Sequence, residues 1–99
     1  MRILAVSSRA ESEITKAALW YGQQRSGLGH EFLSEIDIAL SRLTANPLLY
    51  PVVRHAPDVR RIRLDRFPWH VWFYVEADTI RIFAVLHAKR DPQNWQKRV

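Results

Sequence analysis

Ninety-nine residues with fifteen Lys and Arg against ten Asp and Glu make a small chain of net charge +5, 47% apolar and free of cysteine. A chain of that length supports one core, which withdraws roughly 60–70% of the unfolded surface from water, so a single domain over residues 1–99 is expected. The composition excludes a disulfide framework and a thiolate zinc site, and no apolar run approaches the roughly 18 residues of a membrane span.

The first apolar run, Ile3 to Val6, reads as a strand. It is too short for the core of a signal peptide, and a cytoplasmic location is expected. Ser8-Arg9-Ala10-Glu11 follows as a capping box, in which serine and glutamate satisfy each other's orphan amides at a helix start. Ala10, Ile14, Ala17, Ala18 and Tyr21 then recur at intervals of three and four, one stripe of an amphipathic helix whose alanines permit close approach. Arg25-Ser26-Gly27-Leu28-Gly29 breaks it.

A second helix resumes near His30, with Phe32, Leu33, Ile36, Ala39, Leu40 and Leu43 as its buried stripe. Glu31, Glu35 and Arg42 lie on its wet side, and Ile38 falls there too. The helix stops at Asn46-Pro47, because proline disfavours helical geometry in the residue before it. Leu48 to Pro57 carries two prolines and no period, and reads as a loop.

From Ile62 onward the period changes to two. Ile62 and Leu64 alternate with Arg61 and Arg63; Trp69, Val71, Phe73 and Val75 alternate with His70, Trp72 and Tyr74. After a tight turn at Glu76-Ala77-Asp78, Ile80, Ile82, Ala84 and Leu86 alternate with Arg81, Phe83, Val85 and His87. The fold class is therefore α+β: an N-terminal strand and a two-helix hairpin packed on one face of a mainly antiparallel sheet, built with a C-terminal three-stranded meander. The last two strands are apolar on both faces, since Trp72, Tyr74, Phe83 and Val85 occupy the side that should be polar. A partner or the C-terminal tail is expected to cover that face.

No dinucleotide fingerprint, phosphate loop or zincin motif is present, and the four histidines lack ligand spacing, so neither a cofactor nor a metal is expected. Arginine and aromatic residues do gather on one side of the sheet: Arg61, Arg63, Trp72, Tyr74, Arg81, Phe83 and His87. Twelve of the fifteen cations are arginine, whose planar fork suits carboxylates and phosphates. The combination fits a platform for single-stranded nucleic acid, a groove for an acidic peptide, or core aromatics with a solvated rim.

Several local words, in order, carry a resemblance. They are Asn46-Pro47 with Tyr50-Pro51, then Val59-Arg60-Arg61-Ile62, Arg66-Phe67-Pro68-Trp69 and Trp72-Phe73-Tyr74. The ending Val85-Leu86-His87-Ala88-Lys89-Arg90-Asp91-Pro92, followed by Trp95 and Arg98, is the most specific. Together they resemble the RelE/ParE superfamily of toxins from bacterial type II toxin–antitoxin modules, in its ParE-like, plasmid-stabilisation branch.

The resemblance implies neutralisation by a cognate antitoxin in a hetero-oligomer, often through an acidic C-terminal segment. Trp72, Tyr74, Arg81, Phe83 and Val85 are the expected antitoxin-binding residues. Arg61, Arg63, His87, Arg90 and Trp95 are the expected target contacts. Two activities occur in the superfamily: inhibition of DNA gyrase by binding, and cleavage of mRNA on the ribosome. With no lysine between Lys16 and Lys89 and no tyrosine after Tyr74, the chain is expected to bind rather than cut. Were it a nuclease, Arg61, Arg63, Arg81 and His87 would be the catalytic candidates.

Overall fold

A computed structural model of the chain describes residues 2–53 and 56–89, the side chain of Pro57 excepted. Strand β1 (Ile3–Val6) leads into helix α1 (Ser8–Gln24), and helix α2 (Leu28–Ala45) returns beside it. A 3₁₀ turn (Pro47–Leu49) and a short strand β2 (Val52–Val53) precede the long strands β3 (Ala56–Arg63), β4 (Trp69–Glu76) and β5 (Thr79–His87). The five strands form one sheet in the order β1-β5-β4-β3-β2, antiparallel except where β1 runs parallel to β5. The expected meander and N-terminal strand are both present. The loop expected from Leu48 to Pro57 instead contains β2 and the start of β3, structure that the prolines hid.

Helix α1 is capped one residue earlier than expected. Ser7, in extended backbone, accepts from the Ala10 amide at 3.1 Å. Of the two adjacent serines, the one that directly follows β1 takes the cap, and Glu11 bonds to the Ser7 carbonyl through its own amide. Gly27, at φ 84°, turns the chain in the left-handed region that other residues resist, and α2 starts at Leu28 rather than His30.

The two helices approach closely because Gly29 has no side chain. A Cβ there would stand 2.5 Å from the Ala18 carbonyl oxygen, which is backbone and cannot rotate away. Gly29→Ala would gain about 1 kcal/mol of helix propensity but force the hairpin apart, at a typical cost of about 1–3 kcal/mol. The expected net result in urea denaturation is a loss of stability; a gain would contradict this packing.

The main core lies between the helices and the sheet. Phe32, Ile36, Ala39 and Leu43 of α2 meet Ile62, Leu64, Trp69, Val71, Phe73, Ile80 and Ile82, all buried. Leu33 departs from its expected place: it is 38% exposed, lining a groove between the two helices with Leu19, which is 65% exposed. Tyr21, Phe32, Phe67 and Trp69 form an aromatic cluster, and the Trp69 indole donates to the Tyr21 hydroxyl at 2.8 Å. The loop carrying Phe67 is strapped to α2 by Arg66–Glu31 at 2.6 Å, Arg42–Asp65 at 3.1 Å and a bond from the Arg66 amide to Glu35. The Arg66 hydrogen bond holds the Glu31 carboxyl below its ordinary value and raises the guanidinium in turn.

Candidate interaction face

The face of the sheet turned away from the helices is built from alternate residues of β3, β4 and β5. Across it, Arg63 pairs with His70, which pairs with Leu86; Arg61 pairs with Trp72, which pairs with Ala84; and Tyr74 pairs with Arg81. This face has its own small core. Val59, Trp72, Ala84 and Leu86 are buried there, with Val53, Ala56 and Phe83 packed against them. Trp72 is only 2% exposed, its ring roofed by the Arg61 guanidinium at 5.4 Å from the centroid. Tyr74 and Phe83 remain half-buried, a tilted ring pair 5.9 Å apart.

One irregularity rearranges the expected site. Trp72 pairs with Ala84 but Phe73 pairs with Ile82, so Phe83 is an extra residue, a β-bulge in β5. Beyond a bulge the alternation changes phase. Ala84 and Leu86, expected on the helix side, join Trp72 on the open face. Val85, expected among the antitoxin-binding residues, turns into the main core at 0% exposure. His87 turns the same way and meets Trp69 edge to face at 5.5 Å. Its Nδ1 accepts from the Lys89 amide at 3.1 Å. Strand β1 has ended by this point, and the Val85 amide is satisfied by the Glu13 carboxylate of α1 at 3.0 Å.

The predicted catalytic candidates are thereby separated. Arg61 and Arg63 share the open face, exposed. Arg81 stands at its far end, engaged with Glu76 at 2.9 Å. His87 lies on the other side of the sheet. Arg90 and Trp95 lie outside the described residues, as do Asp91, Pro92 and Arg98 of the terminal words that carry the resemblance.

What the arginines do have beside them is His70, which lies outside the expected site although its alternation puts it on their face. Burial first, then the fields of Arg61 and Arg63, push its imidazole down to about 4. The neutral ring sits edge-on to Trp72 at 5.8 Å. This has a consequence for stability. The unfolded chain takes up a proton on His70 near pH 6.5 and the folded chain refuses it until about 4. Stability is thus unaffected above the unfolded value and falls as pH drops from there towards 4, by about 1–2 kcal/mol once the ring's partial exposure is discounted. Urea titrations at the two ends of that window should show wild type losing more stability than His70→Gln; equal losses would contradict the assignment.

Among the described residues no group of acidic or histidine side chains is arranged to hold a metal, and no helix is long and apolar enough to cross a membrane. The face is a basic and aromatic surface of two strands and part of a third, suited to contact rather than to enclosing a small molecule.

Comparison with known proteins agrees with this architecture. In the solved chromosomal ParDE toxin–antitoxin system of P. aeruginosa, a chain superposes with a TM-score of 0.75 at 19% identity, covering 88% of this chain and 96% of that one. The E. coli RelBE toxin–antitoxin complex gives 0.62 at 17% identity over 91% and 100%. The isolated E. coli RelE toxin gives 0.61 at 16% identity over 99% and 95%. At such identities the likeness is one of fold. No curated protein matches the sequence. A family model does: that of the ParE toxin of type II toxin–antitoxin systems, parDE, matches residues 4–92. The chain belongs to the ParE toxin family of type II toxin–antitoxin systems.

Proposed function

We propose that this toxin acts in the cytoplasm by binding DNA gyrase and cuts no RNA, and that a cognate antitoxin restrains it in a hetero-oligomer. The observation that carries the reading is the bulge at Phe83. It sends His87 to the face opposite Arg61 and Arg63, so the expected acid–base group and the expected phosphate-binding cations do not meet on one substrate. General acid–base catalysis requires that meeting, within hydrogen-bond reach or through one water. A binding inhibitor needs only the surface.

On this reading Arg61 and Arg63 contact the target, and the half-buried pair Tyr74 and Phe83, with Arg81, receives the antitoxin. Both the ParDE and RelBE proteins of similar fold are toxin–antitoxin pairs, which supports an antitoxin partner here. A net charge of +5 should steer an acidic partner, so the on-rate is expected to fall as salt rises.

A second reading has one observation in its favour. His70 is a neutral imidazole flanked by two arginines on the open face, and a ribosome-dependent endonuclease could use it as a base. Inducing the chain without antitoxin separates the two readings. Filamentation with DNA damage and intact mRNA supports gyrase inhibition; prompt translation arrest with new mRNA ends contradicts it.

A further inference from the structure

The arginines of this chain divide by what they touch. Among the described residues, Arg25, Arg42, Arg66 and Arg81 each meet a carboxylate, and Arg60 donates to the Leu48 and Tyr50 carbonyls. Arg61 and Arg63, like Arg2 and Arg9, have no carboxylate within 4.0 Å among the described residues, and both are exposed. They occupy alternate positions of β3, so their side chains rise from one face about 6.5–7 Å apart. Arg61 is fixed by its contact with the Trp72 ring, and Arg63 stands directly across from His70. Two cations and an imidazole are thus held together with no counter-charge among the described residues.

The adjoining edge of β3 carries little strand pairing among the described residues. Strand β2 pairs with β3 only at Ala56 and Arg60, so among the described residues no strand runs beside residues 61–63 on that side. We infer that this end of β3 receives an extended acidic segment of a partner protein, with carboxylates at positions i and i+2 falling on Arg61 and Arg63. An extended chain repeats its side chains on one face at twice the strand rise, which is also the spacing of the two arginines. Guanidinium forks take carboxylates bidentately, which fixes register as well as adding affinity. Single-stranded nucleic acid fits less well, because Trp72, the large ring of this face, is buried under Arg61 and offers no surface for a base. The inference rests on the chain acting by binding a protein, and not on which protein that is.

His70 would make the contact proton-linked. It is faced by Arg61 and Arg63 from β3, by uncharged Leu86 from β5 and by Trp72 along its own strand. Carboxylates arriving on the arginines offset the field that helps hold the ring neutral. Binding should therefore take up a proton and gain from it as pH falls from about 6 to about 4, a range in which the peptide's glutamates also titrate, so that His70→Gln is needed to isolate the share of the ring.

The test uses the full chain and two blocked pentapeptides, Thr-Glu-Thr-Glu-Thr and Thr-Thr-Glu-Glu-Thr, of equal composition and charge. Only the first presents both carboxylates on one face of an extended chain. Calorimetry should give it about fivefold tighter binding, lost in Arg61→Gln and in Arg63→Gln, with circular dichroism confirming that both variants fold. Proton uptake at about pH 5, measured in two buffers of different ionisation enthalpy, should fall in His70→Gln. The His70 midpoint, followed by NMR, should rise by about one pH unit with peptide bound. Equal affinity for the two peptides, binding indifferent to Arg61→Gln, or an unmoved His70 midpoint would overturn the inference. So would a hexathymidylate that displaces the peptide at lower concentration, which would assign the site to nucleic acid. None of these outcomes depends on gyrase.

Discussion

Val85→Asp is expected to abolish folding, whereas Phe83→Asp, two residues away on the same strand, is expected to leave the chain folded. Simple alternation would put both side chains on the open face and make the two substitutions equivalent. The bulge makes them opposites. Val85 is fully enclosed in the main core, with α1 packed over that end of β5. A carboxyl placed there either stays charged without a partner or takes up a proton and still gives up its hydrogen bonds to water. The lost apolar burial comes on top, and the sum is on the order of 4 kcal/mol or more. Small domains hold roughly 5–15 kcal/mol in all, so that is much or all of the margin.

Phe83 is half-buried at the rim of the smaller core and pairs with Tyr74, so a carboxylate there can reach water at a cost nearer 1–2 kcal/mol. Circular dichroism and urea denaturation of the two proteins check this. A folded Val85→Asp protein would show that the bulge is misplaced. The folded Phe83→Asp protein then serves a second purpose, because on the proposed function it binds antitoxin less tightly.

The second large effect separates binding from cleavage. Losing a general base typically lowers a rate by about 10²–10⁴-fold, enough to abolish toxicity that depends on cutting. His87→Ala removes a ring that packs on Trp69 and accepts from the Lys89 amide, remote from the arginine face. Its expected effect on growth arrest is small, within about threefold, and follows any loss of stability. His70→Gln should likewise retain toxicity, since it keeps a hydrogen-bonding side chain and leaves both arginines in place. The Arg61→Gln, Arg63→Gln double variant should lose most of it while remaining folded. Growth curves after induction, with soluble protein quantified in each strain, read all three. Abolished toxicity in His70→Gln alone would favour a nuclease built on the open face. Abolished toxicity in His87→Ala, with the fold intact, would restore the catalytic role first expected of that residue.

The sequence conveyed the elements and their faces where polar residues marked the phase. The helix stripes were readable because Glu31, Glu35 and Arg42 interrupt them, and the arginine face of β3 because Arg61 and Arg63 alternate with Ile62 and Leu64. The bulge was not readable. From Ile82 to Leu86 every residue is apolar, so a change of phase alters nothing in the pattern, and no glycine marks the irregularity. That one insertion moved Val85 and His87 out of the expected site and brought Ala84 and Leu86 onto the open face. Strand β2 was hidden among prolines. Leu33 sits at the border of its helix stripe, where the twist of the hairpin decides exposure. His70 was assigned to the right face, but its neutrality comes from burial and from two arginines that are adjacent only after β3 and β4 pair. Arg81 looked like Arg61 and Arg63 in the sequence; it differs because the β4–β5 turn brings Glu76 within 2.9 Å.

The most direct measurement is a supercoiling assay with purified gyrase, relaxed plasmid and this chain, run beside a ribosome-bound mRNA cleavage assay with the same preparation. The account predicts that supercoiling stops at stoichiometric toxin, that added antitoxin restores it, and that mRNA on the ribosome stays intact. Unimpeded supercoiling together with cleaved mRNA would contradict it.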